Sequence, residues 1–453
     1  VPIVNGHDVT AVQTYEFGDS TERQRRAIVG LVRVLFVLLI FEGALRKWVA
    51  PQLANPLLFI RDPFLLAIYY MGLRLQYQAL RDVLLVGTGV SLLVVALALV
   101  QVGIGSVPAV VAGYGVRNYV LYLPLPFVML ATHTREDVER LLLLLLKVSV
   151  PLGGLAVLQS FLPVDHWLNV GVGGGDVFTA GNQVRTYGTF SFTAGHGNYI
   201  TFMVPLAAGA MVFFPGHSKL GRWSVLSLIS MCSAAVTSGS RGVIMGIVIT
   251  LLVYLACVVA MGGGRNFGRL IFSLGLFFLV GVGSYVAFQD RFENIQERFV
   301  LGQQAEGSIL DRGLSPLTKL WDAIGEGSLI GVGVGKGTGG GSYLGTGVQE
   351  LILAEEEPLR IIQESGALVG LFYFAFRVLL LLALLKAALW SLRYRGNPIP
   401  FLLLGYLAPS LIIGQITLNN TSNGFNWLGV GLCLCLTQLI SGGQTEAQAA
   451  QRS

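Results

Sequence analysis

Charge is what this sequence has least of. Only 12% of its 453 residues are Asp, Glu, Lys or Arg, 53% are hydrophobic, and the mean hydropathy is +0.68. A soluble domain carries roughly a quarter charged residues to cover its surface, so most of this surface faces something other than water. That argues against the roughly three soluble domains that length alone would suggest. Cysteine is scarce as well. Cys232, Cys257, Cys433 and Cys435 all fall in apolar runs without a CxxC pair, so neither a disulfide framework nor a zinc site is indicated. There is no helix-borne His pair and no dense Asp/His set, so no metal and no other cofactor is expected. The net charge of +5 gathers into no basic patch interleaved with aromatics, which argues against nucleic acid as a partner. The stretch from Val1 to Arg26 is polar and lacks a cleavable signal, so the first apolar run is expected to act as a signal anchor.

Long apolar runs are what the sequence has in quantity. A membrane-spanning helix takes about 20 mostly apolar residues. Such runs lie near 27–43, 55–73, 83–104, 106–131, 141–162, 198–214, 224–237, 242–262, 269–288, 365–386, 398–418 and 425–441. The expected fold is therefore all-α, a polytopic transmembrane bundle of about 12 spans. Lys and Arg in short loops mark the cytoplasmic side. With the N-terminus inside, that side holds Arg23, Arg25, Arg26, Arg74, Arg81, Arg135, Arg140, Lys219, Arg222, Arg265, Arg269, Lys386, Arg393 and Arg395, while the opposite short loops hold only Arg46, Lys47 and Arg241. Trp48, Trp167, Trp223, Trp390 and Trp427 fall near span ends, where amphipathic rings favour the headgroup zone.

The expected organisation is a cytoplasmic segment 1–26, a first bundle part 27–288 with an outer loop 163–197, a large outer loop 289–364 that is partly helical, a second bundle part 365–441, and a cytoplasmic tail 442–453. Outer loops of this length are usually functional or disordered. No internal repeat of the kind that marks transporter halves is found, which counts mildly against a carrier.

The most specific local pattern is Thr237-Ser238-Gly239-Ser240-Arg241-Gly242, a tight outer turn between two apolar runs. An arginine at a helix start, beside free backbone N–H groups, can pair with phosphate oxygens in bidentate fashion. The alternative is an interfacial arginine snorkelling to lipid phosphates. Arg185-Thr186-Tyr187-Gly188-Thr189-Phe190 forms a second pattern, followed by Gly195-His196-Gly197-Asn198. Arg185 could converge with Arg241 on one anionic group, and His196 and Asn198 could bond sugar hydroxyls. The alternative for both is loop capping.

Glu355-Glu356-Glu357-Pro358-Leu359-Arg360 is the third pattern, followed by Gln363-Glu364-Ser365-Gly366. Crowded carboxylates raise one another's pKa, which suits a general base near neutral pH. The alternative is a solvated acidic helix start. Arg33, Arg61 with Asp62, Arg117 and Lys147 lie within apolar runs and read as structural, facing the bundle interior, although Arg117 could line a cavity. Gly331-Val332-Gly333-Val334-Gly335-Lys336-Gly337 imitates a phosphate-binding loop but fails as one, because Ile330 stands where the lead glycine should be and Gly337 follows the lysine.

Together these elements resemble the O-antigen ligase and polymerase superfamily of bacterial membrane glycosyltransferases. The resemblance covers roughly 185–370. It rests on the Arg185–Phe190 stretch with Asn198, on Ser238-Gly239-Ser240-Arg241-Gly242, on Trp321, on Leu329-Ile330-Gly331-Val332-Gly333, and on Leu359 to Gly366. Glu42-Gly43-Ala44-Leu45-Arg46-Lys47-Trp48 and Phe59-Ile60-Arg61-Asp62-Pro63 look like a subgroup signature. Ligases of that family carry a His-Asn pair where Glu355-Glu356 stands here, and no His follows residue 217. An arginine usual four residues before the tryptophan is replaced by Leu317, with Arg312 further upstream. These departures tilt the reading toward a polymerase.

The resemblance implies a polyprenyl-diphosphate oligosaccharide (undecaprenyl diphosphate in bacteria) as donor and an acceptor glycan as partner, with membrane lipids around and a chain-length regulator as a candidate partner. It implies an inner-membrane protein with both termini cytoplasmic and a periplasmic site for O-antigen or exopolysaccharide assembly. Arg185 and Arg241 would hold the diphosphate, with Arg360 or Arg312 helping. Glu356 or Glu355 would take the acceptor proton in an inverting, metal-independent transfer. An O-antigen ligase or protein O-oligosaccharyltransferase differs only in its acceptor, and a lipid-linked oligosaccharide flippase would share the lipid ligand.

Overall fold

The computed structural model describes residues 19–75, 78–175, 177, 179–180, 183–261, 267–289, 296, 319, 328–347, 353–354 and 356–439. Among them the chain is helical apart from short turns and one two-residue antiparallel ladder, β1 (Thr179–Ala180) with β2 (Gln183–Val184). The helices are α1 (Asp19–Ala44), α2 (Asp62–Arg74), α3 (Gln78–Gly103), α4 (Ala109–Val120), α5 (Leu125–Thr132), α6 (Arg135–Phe161), α7 (Thr193–Phe213), α8 (Lys219–Thr237), α9 (Arg241–Met261), α10 (Phe267–Ala287), α11 (Gly339–Thr346), α12 (Glu357–Arg395), α13 (Ile399–Ile413) and α14 (Asn420–Leu436). Every apolar run predicted from the sequence carries helix.

Among the described residues, 7 helical stretches are long and apolar enough to cross a membrane: Thr21–Val49, Pro56–Arg74, Arg135–Phe161, Lys219–Thr237, Arg241–Ala260, Phe267–Ala287 and Glu357–Arg395. The run 106–131 departs from the single span expected. It is two helices, α4 and α5, separated by a turn that ends at Pro124, the residue preceding α5. Of the outer loop 289–364, expected to be partly helical, the structure describes only 289, 296, 319, 328–347, 353–354 and 356–364.

The centre of the bundle is α13, which packs on α7, α9, α12 and α14. Ile399 and Leu402–Leu404 lie within it almost without exposure. Glycines permit the close approach: a Cβ on Gly405 would stand 3.0 Å from Thr250 Cα, and one on Gly209 would stand 2.9 Å from Ile399 Cα. Small residues at such crossings let apolar helices gain dispersion contacts where lipid offers no hydrophobic drive.

The polar side chains divide between two ends. At one end Arg46 donates to Ser191, Lys47 to Gly188, Asn118 to Thr417 and Tyr119 to Glu364. At the other end Gln24 donates to Met71, Arg25 to Asp137, Arg395 to Gln438 and Asn397 to Leu436. The first set belongs to the loops with few basic residues and the second to the basic ones.

Candidate active site

Arg185 follows β2, and the segment after it is held rigidly. Gly188 N–H donates to Gln159 Oε1 at 2.8 Å, and Gly188 O accepts from Lys47 Nζ at 2.8 Å. Thr189 Oγ1 donates to Ile40 O at 2.6 Å. Gly43 of α1 packs directly on the backbone of Thr189–Ser191, where any Cβ would overlap. The glycine of the 42–48 signature is therefore a contact for the arginine-bearing segment.

The structure sets Arg185 beside the turn that carries Arg241. Arg185 Cγ stands 3.6 Å from where a Cβ on Gly239 would lie. Gly239 has φ of 61°, a left-handed conformation that lets α8 end and α9 begin within one tight turn. Ser238 Oγ accepts from Ser240 N–H at 3.2 Å, and Arg241 opens α9. Both arginines are partly exposed. Arg185 and the Arg241 end of α9 thus share one corner, at the end of the bundle that also holds the buried Lys47 and Arg46, and a pair of arginines suits a group with more than one negative charge.

Other predicted site residues lie elsewhere. His196 is 1% exposed, with its ring stacked on Phe190 at 6.0 Å and Nδ1 2.9 Å from Thr186 O. In that position it shapes the Arg185 segment and offers no edge to a sugar hydroxyl. Asn198 Nδ2 donates to Ser422 Oγ and ties α7 to α14. Arg360 is 0% exposed; it pairs with Glu357, also 0% exposed, and reaches Thr417 Oγ1 at 3.1 Å. A role for it as a diphosphate ligand is replaced by one in a buried ion cluster. Arg312, Glu355 and Trp321 lie outside the described residues.

Glu356 stands at the start of α12 and accepts from Lys319 Nζ at 2.8 Å. That bond holds its carboxyl below the usual carboxylate range, the reverse of the rise expected from crowding. The crowding is relieved because Glu357 turns inward. It pairs with Arg360 and with Arg377 at 3.1 Å, and accepts from Thr417 N–H at 2.9 Å. Glu364, also buried, accepts from Tyr119 at 2.7 Å and from Gly337 N–H at 2.7 Å.

Of the cations in apolar runs, Arg61 is buried and Arg117 and Arg33 are part-buried, and these three are ion-paired. Arg61 meets Glu42 at 2.8 Å, Arg117 holds Asp62 through two nitrogens at 2.5 and 2.7 Å, and Arg33 reaches Asp137 at 3.3 Å. Lys147 departs from the interior position expected: it is exposed and lies over the Trp223 ring at 5.8 Å. The glycine segment 331–337 is packing, not a phosphate cradle. Val332, Gly333, Val334 and Gly337 spend their N–H groups on Gln363 O, Glu364 O, Gln101 Oε1 and Glu364 Oε1.

Sequence reasoning missed Gln101, Gln159 and Arg377. Each is a polar residue inside or at the end of an apolar run, a visible signal because such residues are costly in lipid without a partner. A cleft of about 430 Å³ at the opposite end, lined by Arg135, Glu139, Arg140, Phe214 and Lys219, has its arginines paired with Glu139 and Glu136. No metal-holding group of His, Cys, Asp and Glu occurs among the described residues. Compared with protein-family models and with curated proteins, the chain matches none.

Proposed function

We propose that the protein is a membrane glycosyltransferase that lengthens or transfers a glycan carried on a polyprenyl diphosphate, acting as an O-antigen or exopolysaccharide polymerase at the periplasmic face of a bacterial inner membrane. In this reading the chain makes about 12 crossings with both termini cytoplasmic, the shorter helices included. The single observation that carries the proposal is the juxtaposition of Arg185 with the Gly239 turn, two residues before Arg241. A diphosphate is the ligand class that suits two forked cations from separate segments.

Diphosphate is a good leaving group, so the protein's work is to stabilise charge as the anomeric C–O bond breaks and to orient the acceptor. Arg185 and Arg241 hold the diphosphate oxygens. The acceptor hydroxyl attacks from the opposite side of the anomeric carbon, inverting it, and its proton passes to Glu356 or Glu355. The lowered pKa of Glu356 makes it the weaker base, but keeps it charged and ready.

The test is purified protein supplied with polyprenyl-diphosphate oligosaccharide. A ladder of lengthened glycans is expected. One transfer to a foreign acceptor would make it a ligase, and movement of intact lipid without a new bond would make it a flippase. Arg241→Lys and Arg185→Lys keep the charge but lose the fork, and each should lower the rate by roughly 10²-fold or more. Unchanged glycan length in both variants would remove the diphosphate role.

A further inference from the structure

Beside the arginine corner lies an aromatic surface that no step above uses. Trp167 is 64% exposed, although it sits on a short 3-10 turn, Trp167–Asn169, just beyond the end of α6. Trp48 meets it edge-on at 6.4 Å and 71°, and His166 lies against it at 5.9 Å and 35°. Lys47 Nζ stands 4.5 Å from the Trp48 ring centre and 5.6 Å from that of Tyr187, two residues after Arg185. Trp48 thus joins the exposed Trp167 to the arginine-bearing segment through Lys47 and Tyr187, which lie buried beneath it.

One fully buried side chain fixes the two parts relative to each other. Gln159 Nε2 donates to Leu168 O at 2.8 Å, next to Trp167, while Gln159 Oε1 accepts from Gly188 N–H at 2.8 Å. Asn169 anchors the same turn from beneath, donating to Gln159 O at 3.2 Å and Pro163 O at 2.9 Å. A tryptophan that only marks the headgroup zone needs no such registry with a distant cationic segment.

We propose that the exposed indole of Trp167, edged by Trp48 and backed by His166, is a glycan subsite that stacks on a pyranose ring of the carbohydrate whose diphosphate the arginine corner holds. The proposal rests on the diphosphate reading and adds where the sugar chain runs. The apolar C–H face of a pyranose matches a flat, exposed ring.

The test uses the full chain in vesicles, with the emission of Trp167 taken as wild type minus Trp167→Phe. Aqueous iodide should quench it, and brominated phosphatidylcholine should not. Lipid-linked glycans extracted from the source cells should shield it from iodide, whereas undecaprenyl diphosphate without sugar should leave it open. Trp167→Ala should weaken binding of the glycan-bearing lipid about tenfold and leave undecaprenyl diphosphate binding unchanged. Gln159→Leu should give the same split, because it frees the turn from the arginine segment. Quenching by brominated lipid, or equal loss of both ligands in Trp167→Ala, overturns the subsite and leaves the arginine reading standing. Failure of undecaprenyl diphosphate to bind in a manner sensitive to Arg241→Lys overturns both.

Discussion

Glu356 and Glu357 are neighbours in sequence with opposite fates. Glu357 turns into the bundle and is neutralised by Arg360 and Arg377, whereas Glu356 stays at the rim with Lys319. Nothing in the string of three carboxylates distinguishes them; the distinction comes from Arg377 and Thr417, far along the chain. Arg360 and Arg241 likewise read alike, each an arginine at the edge of an apolar run, until burial separates them. The partner of Glu356 fixes a pH response. Lys319 lowers its pKa from the ordinary 4.5, so the charged form that accepts a proton persists into more acid solution. If Glu356 takes the acceptor proton, the rate rises with pH through that lowered value and levels above it. Removing the ammonium in Lys319→Met lets the pKa return upward, so the acid limb of the pH–rate profile should move to higher pH with the plateau retained. An unmoved limb, or full activity in Glu356→Gln, assigns the proton to another group. The pair's stabilisation follows the same sign, present above the unfolded pKa and lost as pH falls through the folded one.

Elements were more legible than their junctions. Long apolar runs announce helices because backbone groups in lipid must bond internally, and each predicted run is helical. The interruption of 106–131 was visible only as Pro124, since its flanks are as apolar as a single span. The join at Gly366 falls one residue from the boundary expected at 364/365, but the buried helical arm before it was hidden. Within α12 this residue has φ of 75° and ψ of 166°, a conformation that breaks the helix between a buried arm, 357–365, and the long span that follows. Ala367 N–H there donates to Ser328 O at 3.3 Å and Val332 N–H to Gln363 O at 2.8 Å, so the glycine segment seats against the break. A Cβ on Gly366 would overlap the Leu329 carbonyl. Gly366→Ala should therefore cost about 3 kcal/mol, from backbone strain and overlap together. It should appear as a lower Tm of the detergent-purified protein, with Gly339→Ala, which has open space around it, as the neutral control. Equal Tm values for the two variants would mean that the break carries no strain.

For the molecule as a whole, the sequence's charge bias and the structure's hydrogen bonds divide the loops in the same way. Loops poor in Lys and Arg meet around Arg185, Lys47, Asn118 and Thr417, and loops rich in them meet around Arg25, Asp137 and Asn397. The division could be seen in the sequence because charge asymmetry is counted loop by loop, whereas which outer loops touch depends on packing that no local pattern encodes. The proposed topology puts the two ends on opposite sides of the membrane, and that can be measured directly. All four cysteines are buried, so the native chain should be silent to a membrane-impermeant maleimide. Asp165→Cys at the arginine end and Glu136→Cys at the other both replace exposed residues. In intact cells whose outer barrier is opened, Asp165→Cys should label at once and Glu136→Cys only after the inner membrane is permeabilised. The reverse pattern would put Arg185 and Arg241 in the cytoplasm, on the side where lipid-linked glycans are built and before they are presented for assembly. A polymerase working on finished units could not use a site there, so that single inversion would end the proposed function while leaving the bundle and its packing as described.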